Sequence, residues 1–260
     1  MAGSQTVIEI RQLHQLPEFE EVLRLQQAIW GFPDIELLPL RFLVVVSKVG
    51  GHVFGAYDGD MMVGFCFAIP GIKAGGHAYL HSHMLGVLPA YRDAHVGRSL
   101  KLKQREEALA RGIQLIEWTF DPLELKNAFF NIERLGVIIR RYHENQYGIT
   151  FSPLHGGLPT DRCYAEWWIA SRRVESILAG DARPAGPTHH AIAYPADIAR
   201  IRTEDPRRAR QIQKENGEKF RRAFEQGLAV SRFERGQTES SYLLEPFLES
   251  FLEPFLEPWE

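Results

Sequence analysis

The chain has 260 residues, enough for one large domain or one domain with an extension, and at 45% hydrophobic and 24% charged it has the composition of a globular protein with a sizeable core. Its formal net charge of −3 argues against a nucleic-acid partner. Cys66 and Cys163 stand far apart, neither in a CxxC pair, which argues against a disulfide framework or a zinc ribbon. No apolar run is long enough to span a bilayer, and the first residues lack a basic stretch before an apolar one. A cytoplasmic protein with no membrane role is therefore expected.

In chain order, residues 7–13 alternate well enough for a strand. Pro17 opens a helical pattern in which Phe19, Val22, Leu23, Gln26 and Trp30 share a face, and residues 31–33 stop it. Residues 40–49 read equally as a short helix or a buried strand. Residues 53–57 and 61–69 form strands around the hairpin turn Asp58-Gly59-Asp60, and 77–87 form another strand. The central helix spans 95–111, with Val96, Leu100, Gln104, Ala108 and Arg111 drifting round one side and Gly112 at its end. Residues 115–120 form a strand ending at Asp121-Pro122, 125–135 a helix stopped by Gly136, and 137–142 and 163–169 the last core strands. The order β-α-α-β-β-β-α-β-α-β-β implies an α/β (α+β) fold: a mixed central sheet with helices on both faces.

Beyond Ser171 the composition changes, so residues 1–171 read as the main domain and 172–260 as a C-terminal extension. Residues 202–222 are strongly charged and predict a solvated helix; 228–233 and 242–244 predict short strands. The chain ends in Phe-Leu-Glu repeats of period four, marked by Phe247, Phe251 and Phe255, and Pro246, Pro254 and Pro258 oppose a continuous helix. This tail is expected to pack on the core or on a neighbouring subunit, as in a homodimer. Its acidity argues against a membrane surface.

The segment from Leu85 to Leu100 carries the most chemistry. An apolar run ends at a Val-x-Pro turn, a basic residue and a glycine follow, and then the long helical pattern begins. Strand, turn and helix N-terminus make a seat for a phosphorylated ligand. Upstream, His81 and His83 lie two apart, so on a strand both point to one face. A phosphate seat beside paired titratable groups points to group transfer from a nucleotide-bearing donor.

The element order and the 85–100 segment resemble the GNAT acyltransferase superfamily over roughly residues 7–169. The resemblance implies transfer of an acyl group from an acyl-CoA, such as acetyl-CoA or succinyl-CoA, to an amine. The family's pyrophosphate motif, Gln/Arg-x-x-Gly-x-Gly/Ala, reads here Arg92-Asp93-Ala94-His95-Val96-Gly97, with His95 in place of the first glycine. Glycine there lets the backbone approach the phosphates closely. Asp93 reads as a helix N-cap, and Arg92, Arg98 and Lys101 either supply positive charge or form a solvated helix face. By position, Leu85, Gly86 and Val87 would pair with the pantetheine arm, and Arg92, His95, Val96, Gly97 and Arg98 would meet the pyrophosphate.

His81 and His83 match two histidines of arylalkylamine acetyltransferases, a GNAT branch, where they deprotonate the incoming ammonium through water. The alternative is a structural role for each. Zinc binding by His77, His81 and His83 lacks a carboxylate or thiolate to complete the set, and no metal is expected. The helix 125–135 matches the family's fourth helix, with Asn127 and Asn131 as candidates near the pantetheine. Ile132 holds the usual tyrosine position, leaving Tyr142, His143 or Tyr147 as substitute acids, or an unassisted thiolate.

Trp118 and Asp121 at the end of the fifth strand, and Arg162 in the loop 156–162, are expected to bind the acceptor. Arg162 would clamp a carboxylate, or else pair with Asp161 or cap a turn. These segments resemble a subgroup with relatives that accompany N-succinylamino acid racemases, which suggests an amino-acid acceptor. The expectation is an N-acyltransferase acting on a primary amine by direct attack. The alternative is a GNAT fold that has lost catalysis and serves as a binding or sensor module.

Overall fold

The computed structural model describes residues 7–92, 94–148, 157–181 and 190–249. The chain divides into two compact units, residues 1–116 and 117–260.

In the first unit, β1 (Glu9–Gln12) leads into α1 (Leu16–Trp30). Glu18 Oε2 accepts from the backbone N–H groups of His14 and Gln15 at 2.8 Å, which closes a capping box, and Pro17 sits in the first turn. Gly31, at φ 65°, supplies the left-handed residue that ends the helix. The ambiguous segment 40–49 is α2 (Leu40–Lys48), with Leu43 and Val46, three apart, buried on one face. Strands β2 (His52–Asp58), β3 (Met61–Ile72) and β4 (Ala78–Val87) follow, then α3 (Val96–Ala110). The strands lie in the order β1-β2-β3-β4, all antiparallel.

Two helical coverings make this sheet apolar on both sides. Phe19, Val22 and Leu25 of α1 and Leu43 and Val46 of α2 pack with Val53, Phe65 and Phe67. Val96 and Leu100 of α3 pack with Phe54, Ala56, Val63, Cys66 and Val87 on the other face. The pairing of β3 with β4 shifts between Phe67 and Ala68: Phe67 lies opposite Met84 and Ala68 opposite Ser82, which leaves His83 as an extra residue. This β-bulge reverses the alternation of β4 at one point.

In the second unit, β5 (Leu115–Phe120) precedes α4 (Leu125–Phe129), β6 (Ile138–His143), β7 (Arg162–Trp168) and α5 (Arg172–Ala179). Then come β8 (His190–Pro195), α6 (Ile198–Glu204), α7 (Pro206–Glu225), β9 (Leu228–Arg235) and β10 (Glu239–Pro246). The strands run β5-β7-β6-β9-β10-β8. β9 pairs with β6 through Val230 and Ile139, so residues beyond Ser171 extend a sheet begun before it.

Three differences from the sequence reading have physical causes. The expected helix 125–135 is α-helical only to Phe129 and continues as a π-helix, Phe130–Arg134. The charged segment 202–222 is not merely solvated. Within α7, Ala209, Gln213, Asn216, Gly217, Phe220 and Ala223 are buried, a stripe too small and polar to register as hydrophobic periodicity. A Cβ on Gly217 would lie 2.7 Å from Tyr142 Oη, so the missing side chain lets α7 approach β6. The C-terminal strands are longer than expected because β10 is central, between β9 and β8. Phe247, the first aromatic of the tail, lies 4.1 Å from the Arg140 guanidinium; Phe251 and Phe255 fall outside the described residues. Among the described residues, no helix is long and apolar enough to cross a membrane.

Candidate active site

The first unit carries the histidines and the phosphate seat on one continuous segment. The His81 and His83 rings are 6.0 Å apart, and His83 packs on Phe67 at 5.4 Å, which places both on the α1/α2 face of β4. The His83 side chain is exposed to solvent at its edge, and the desolvation it does undergo lowers the imidazole below its usual range, so it is neutral near pH 7 and able to accept a proton. Beyond the bulge, Leu85 and Val87 turn to the α3 face. Gly86 faces the opposite way, where a Cβ would lie 2.8 Å from Trp30 Cη2 and 2.9 Å from Ile29 Cδ1. The glycine at this position is therefore a packing requirement of α1.

Among the described residues no side chain caps the N-terminus of α3, no acidic residue lies in its first turn, and its first intrahelical bond runs from Ser99 N to His95 O at 3.0 Å. The leading N–H groups of such a helix point outward and favour an anion. His95 occupies the cap position at φ 58°, a left-handed conformation that suits glycine. It thus reproduces the backbone of the missing glycine with a side chain attached. Arg92 turns its Nε back to Val87 O at 3.3 Å, at the end of β4. The Asp93 cap lies outside the described residues.

Lys101 does not belong to a solvated face. It is 3% exposed, and its Nζ donates to Ser82 Oγ at 2.7 Å. Ser82 Oγ donates in turn to Gln104 Oε1 at 3.0 Å. Burial pulls the Lys101 ammonium down to about 7. On the same face, His52 lies opposite Ala68, which lies opposite Ser82. Its Nδ1 faces Glu107 Oε2 at 3.0 Å; because a carboxylate only accepts, Nδ1 carries the proton. Burial holds His52 neutral, with its imidazole lowered to about 3, and pushes the nearby Cys66 thiol up to about 12. This polar layer lies directly behind the histidines, and the sequence reading missed it.

In the second unit, Trp118 is buried edge-on against Trp167 at 6.0 Å, and Trp167 Nε1 donates to Leu135 O at 2.6 Å. Asp121 Oδ1 accepts from Leu123 N at 2.8 Å, and Oδ2 faces Arg202 at 3.3 Å. Burial raises the Asp121 carboxyl to about 6, against the opposing effect of the Leu123 N–H, Arg162 and Arg202. Asn127 is exposed and Asn131 buried. In a regular α-helix residues four apart share a face, but the wide π turn separates these two. Ile132 is fully buried.

The loop before β7 is largely structural. Asp161 accepts from Tyr142 Oη at 2.5 Å and from Asn145 N at 3.0 Å, while Thr160 Oγ1 bonds Tyr147 N and Gly148 O. Asp161 therefore caps the turn after β6 and does not pair its carboxylate with Arg162. Arg162 is 9% exposed; its Nη1 donates to Asp161 O at 3.0 Å, and its guanidinium lies 5.3 Å from the Tyr147 ring. Burial and Asp161 hold the Tyr142 hydroxyl protonated, which makes it a poor proton donor. Tyr147, half-exposed, meets Thr119 Oγ1 at 2.9 Å. Among the described residues, no group of three or more His, Cys, Asp or Glu side chains is placed to hold a metal ion.

No family model matches the sequence, and no curated protein matches it. Solved structures do match its fold. A GNAT-family protein of Desulfovibrio desulfuricans superposes with a TM-score of 0.51 at 16% identity, covering 63% of this chain and 100% of that one. NAA60 of Arabidopsis thaliana, solved with a bisubstrate analogue, gives 0.52 at 13% identity over 62% and 98%. The candidate acetyltransferase yncA of Salmonella typhimurium, solved with its cofactor acetyl-CoA, gives 0.51 at 14% identity over 70% and 99%. The chain has the GNAT fold. The segment from β4 to α3 combines the N-terminus of a 15-residue helix with a histidine pair on the preceding strand. Those groups can bind an anion and accept a proton from a nearby ammonium.

Proposed function

We propose that this protein is an acyl-CoA-dependent N-acyltransferase acting on a primary amine, with an amino acid as the favoured acceptor and an acetyl or succinyl group transferred. The observation that carries the reading is the His81–His83 pair on β4, on the same segment as the N-terminus of α3. The residues fit a coenzyme A pyrophosphate. First-turn N–H groups and Arg98 lie at that end, with no carboxylate in the turn to repel it. The backbone of Leu85, Gly86 and Val87 would hold the pantetheine arm.

An alkylammonium has no lone pair, so the acceptor must first lose a proton. His83, neutral near pH 7, takes it through water, with His81 as the second candidate. The free amine then attacks the thioester carbonyl carbon: a C–N bond forms, the C–S bond breaks, and the second amine proton is released. The thiolate of coenzyme A leaves with a proton drawn from solvent, since Ile132 cannot supply one and Tyr142 keeps its own against Asp161. On the acceptor side, Trp118, Asp121 and Arg162 are the proposed contacts, and on the donor side Asn127, exposed, and Asn131, buried, are the candidates near the pantetheine.

A second reading, a non-catalytic binding module, is favoured by His95 at the left-handed cap. Two measurements separate them. Thermal unfolding with coenzyme A, acetyl-CoA and succinyl-CoA reports donor binding; a ligand at a hundred times its Kd adds about 2.7 kcal/mol of stability. Turnover of acyl-CoA with amines follows, for the wild type and the His81→Ala, His83→Ala double variant. A general base is worth about a hundredfold or more, so the double variant should fall by at least that. Donor binding without turnover of any amine would replace the enzyme reading with the binding-module one.

A further inference from the structure

The loops bearing the proposed acceptor contacts are held by residues far along the chain, all in the second unit. Arg202, on α6, reaches the β5–α4 turn with both guanidinium nitrogens: Nη1 lies 3.3 Å from Asp121 Oδ2 and Nη2 2.6 Å from Glu124 Oε1. The side chains of Arg202 and Asp121 are only 15% and 14% exposed, so water screens this pair weakly. Tyr242, on β10, donates its hydroxyl to Pro122 O at 2.7 Å, in the same turn. Its ring is fixed by Phe233, Phe220 and Tyr194, at 4.8, 5.2 and 5.7 Å. On α7, Gln213 Nε2 donates to Pro159 O at 2.9 Å, three residues before Arg162.

We infer that residues 190–249 form a fixed frame for the acceptor loops, and that Arg202 is a positioning residue that holds the Asp121 carboxylate in place. The inference rests on the acceptor-side reading of Asp121 and Arg162. A lone surface ion pair would carry little meaning. Here two elements from one region converge on a four-residue turn, one through charge and one through a neutral hydrogen bond, while a third grips the neighbouring loop. Burial and, to a smaller extent, Glu124 raise the Asp121 carboxyl; the Leu123 N–H, Arg162 and lastly Arg202 oppose that rise, so removing the Arg202 cation would shift the carboxyl further up. The extension is thereby a component of acceptor recognition.

The test uses the full chain with Arg202→Met, Arg202→Lys and Tyr242→Phe. Acetyl-CoA binding is measured by calorimetry, and acetyl transfer from acetyl-CoA is measured against a panel of amino acids and alkylamines. Arg202→Met should raise the amine KM about tenfold or more, while the acetyl-CoA Kd stays within about twofold. Arg202→Lys should restore part of the loss, and Tyr242→Phe should move KM in the same direction by less. An unchanged amine KM in folded Arg202→Met overturns the inference, as does a parallel loss of acetyl-CoA affinity, which would mark general destabilisation. If the wild type transfers neither an acetyl nor a succinyl group from its coenzyme A thioester to any member of the panel, the enzyme reading fails by itself. The frame is then judged on the carboxyl carbon resonance of Asp121, which must titrate at higher pH in Arg202→Met than in the wild type; equal midpoints overturn it.

Discussion

Lys101→Met should make the protein more stable at pH 7, and the gain should vanish near pH 10. The Lys101 ammonium is buried beneath β4, and burial lowers it from 10.5 to about 7. Between those values the unfolded chain keeps a proton that the folded chain releases. Stability therefore rises with pH through the window and is lowest below about pH 7. Worked through the linkage relation, the folded state carries a penalty of about 4 kcal/mol at pH 7 and less than about 1 kcal/mol at pH 10. Methionine has similar length and no charge, so the variant escapes the penalty. It also loses the hydrogen bond from Nζ to Ser82 Oγ, worth about 1 kcal/mol, although Ser82 keeps its bond to Gln104. The net change is a gain of about 3 kcal/mol at pH 7 that vanishes near pH 10. Urea unfolding of both proteins at pH 7, 8, 9 and 10 isolates this contribution, since every other group titrates in both. A stability difference that does not vary with pH would show that Lys101 is not desolvated in the folded state.

Three further outcomes follow from single contacts. Gly86→Ala places a methyl group 2.8 Å from Trp30 Cη2 and should lower stability by about 1–3 kcal/mol, read as a shift in the urea midpoint; an unchanged midpoint would show that α1 yields at no cost. His95→Gly relieves a left-handed side chain worth about 1 kcal/mol and loosens the unfolded chain by a similar amount, so stability should move little. Acetyl-CoA should bind the glycine variant more tightly by calorimetry, and weaker binding would show instead that the imidazole itself contacts the phosphates. Glu166 is buried between Arg140 at 2.6 Å and Arg141 at 3.4 Å. Glu166→Gln leaves both half-exposed guanidinia partly unpaired and should cost about 2 kcal/mol by thermal unfolding, less than a fully buried pair.

Much of the fold is legible in the sequence because its signals are local. Pro17 and Gly31 bound α1, Asp58-Gly59-Asp60 turns a hairpin, and the order of eleven elements to β7 is as the sequence implies. What escapes depends on partners distant in the chain. Lys101 looks like a solvated residue until Ser82, nineteen positions upstream, is seen to accept its hydrogen bond. Gln104 within the apolar stripe of α3 is the available hint that the buried face carries polar groups. The strands beyond Ser171 read short, and β8 and α5 do not register at all, because their apolar residues are few and their burial comes from α7 and neighbouring strands. The spacing of His81 and His83 does predict one shared face, but period two alone would also put Leu85 and Val87 there. On the acceptor side, the residue types at Asp121 and Arg162 are visible, whereas Arg202 and Tyr242 are not, at separations of 81 and 120 residues from their partners.

The extra residue in β4 is also a store of length. Because His83 and Met84 together face the single residue Phe67, one residue can be gained or lost at this point while the pairs on either side keep their partners and their faces. Anywhere else along β4 the same change would turn the strand over and carry either the histidines or the residues before α3 to the wrong side. The length of β4 can therefore change by one residue at this point without turning over the strand on either side, and related chains of the same architecture should tolerate length variation at this one position of the strand.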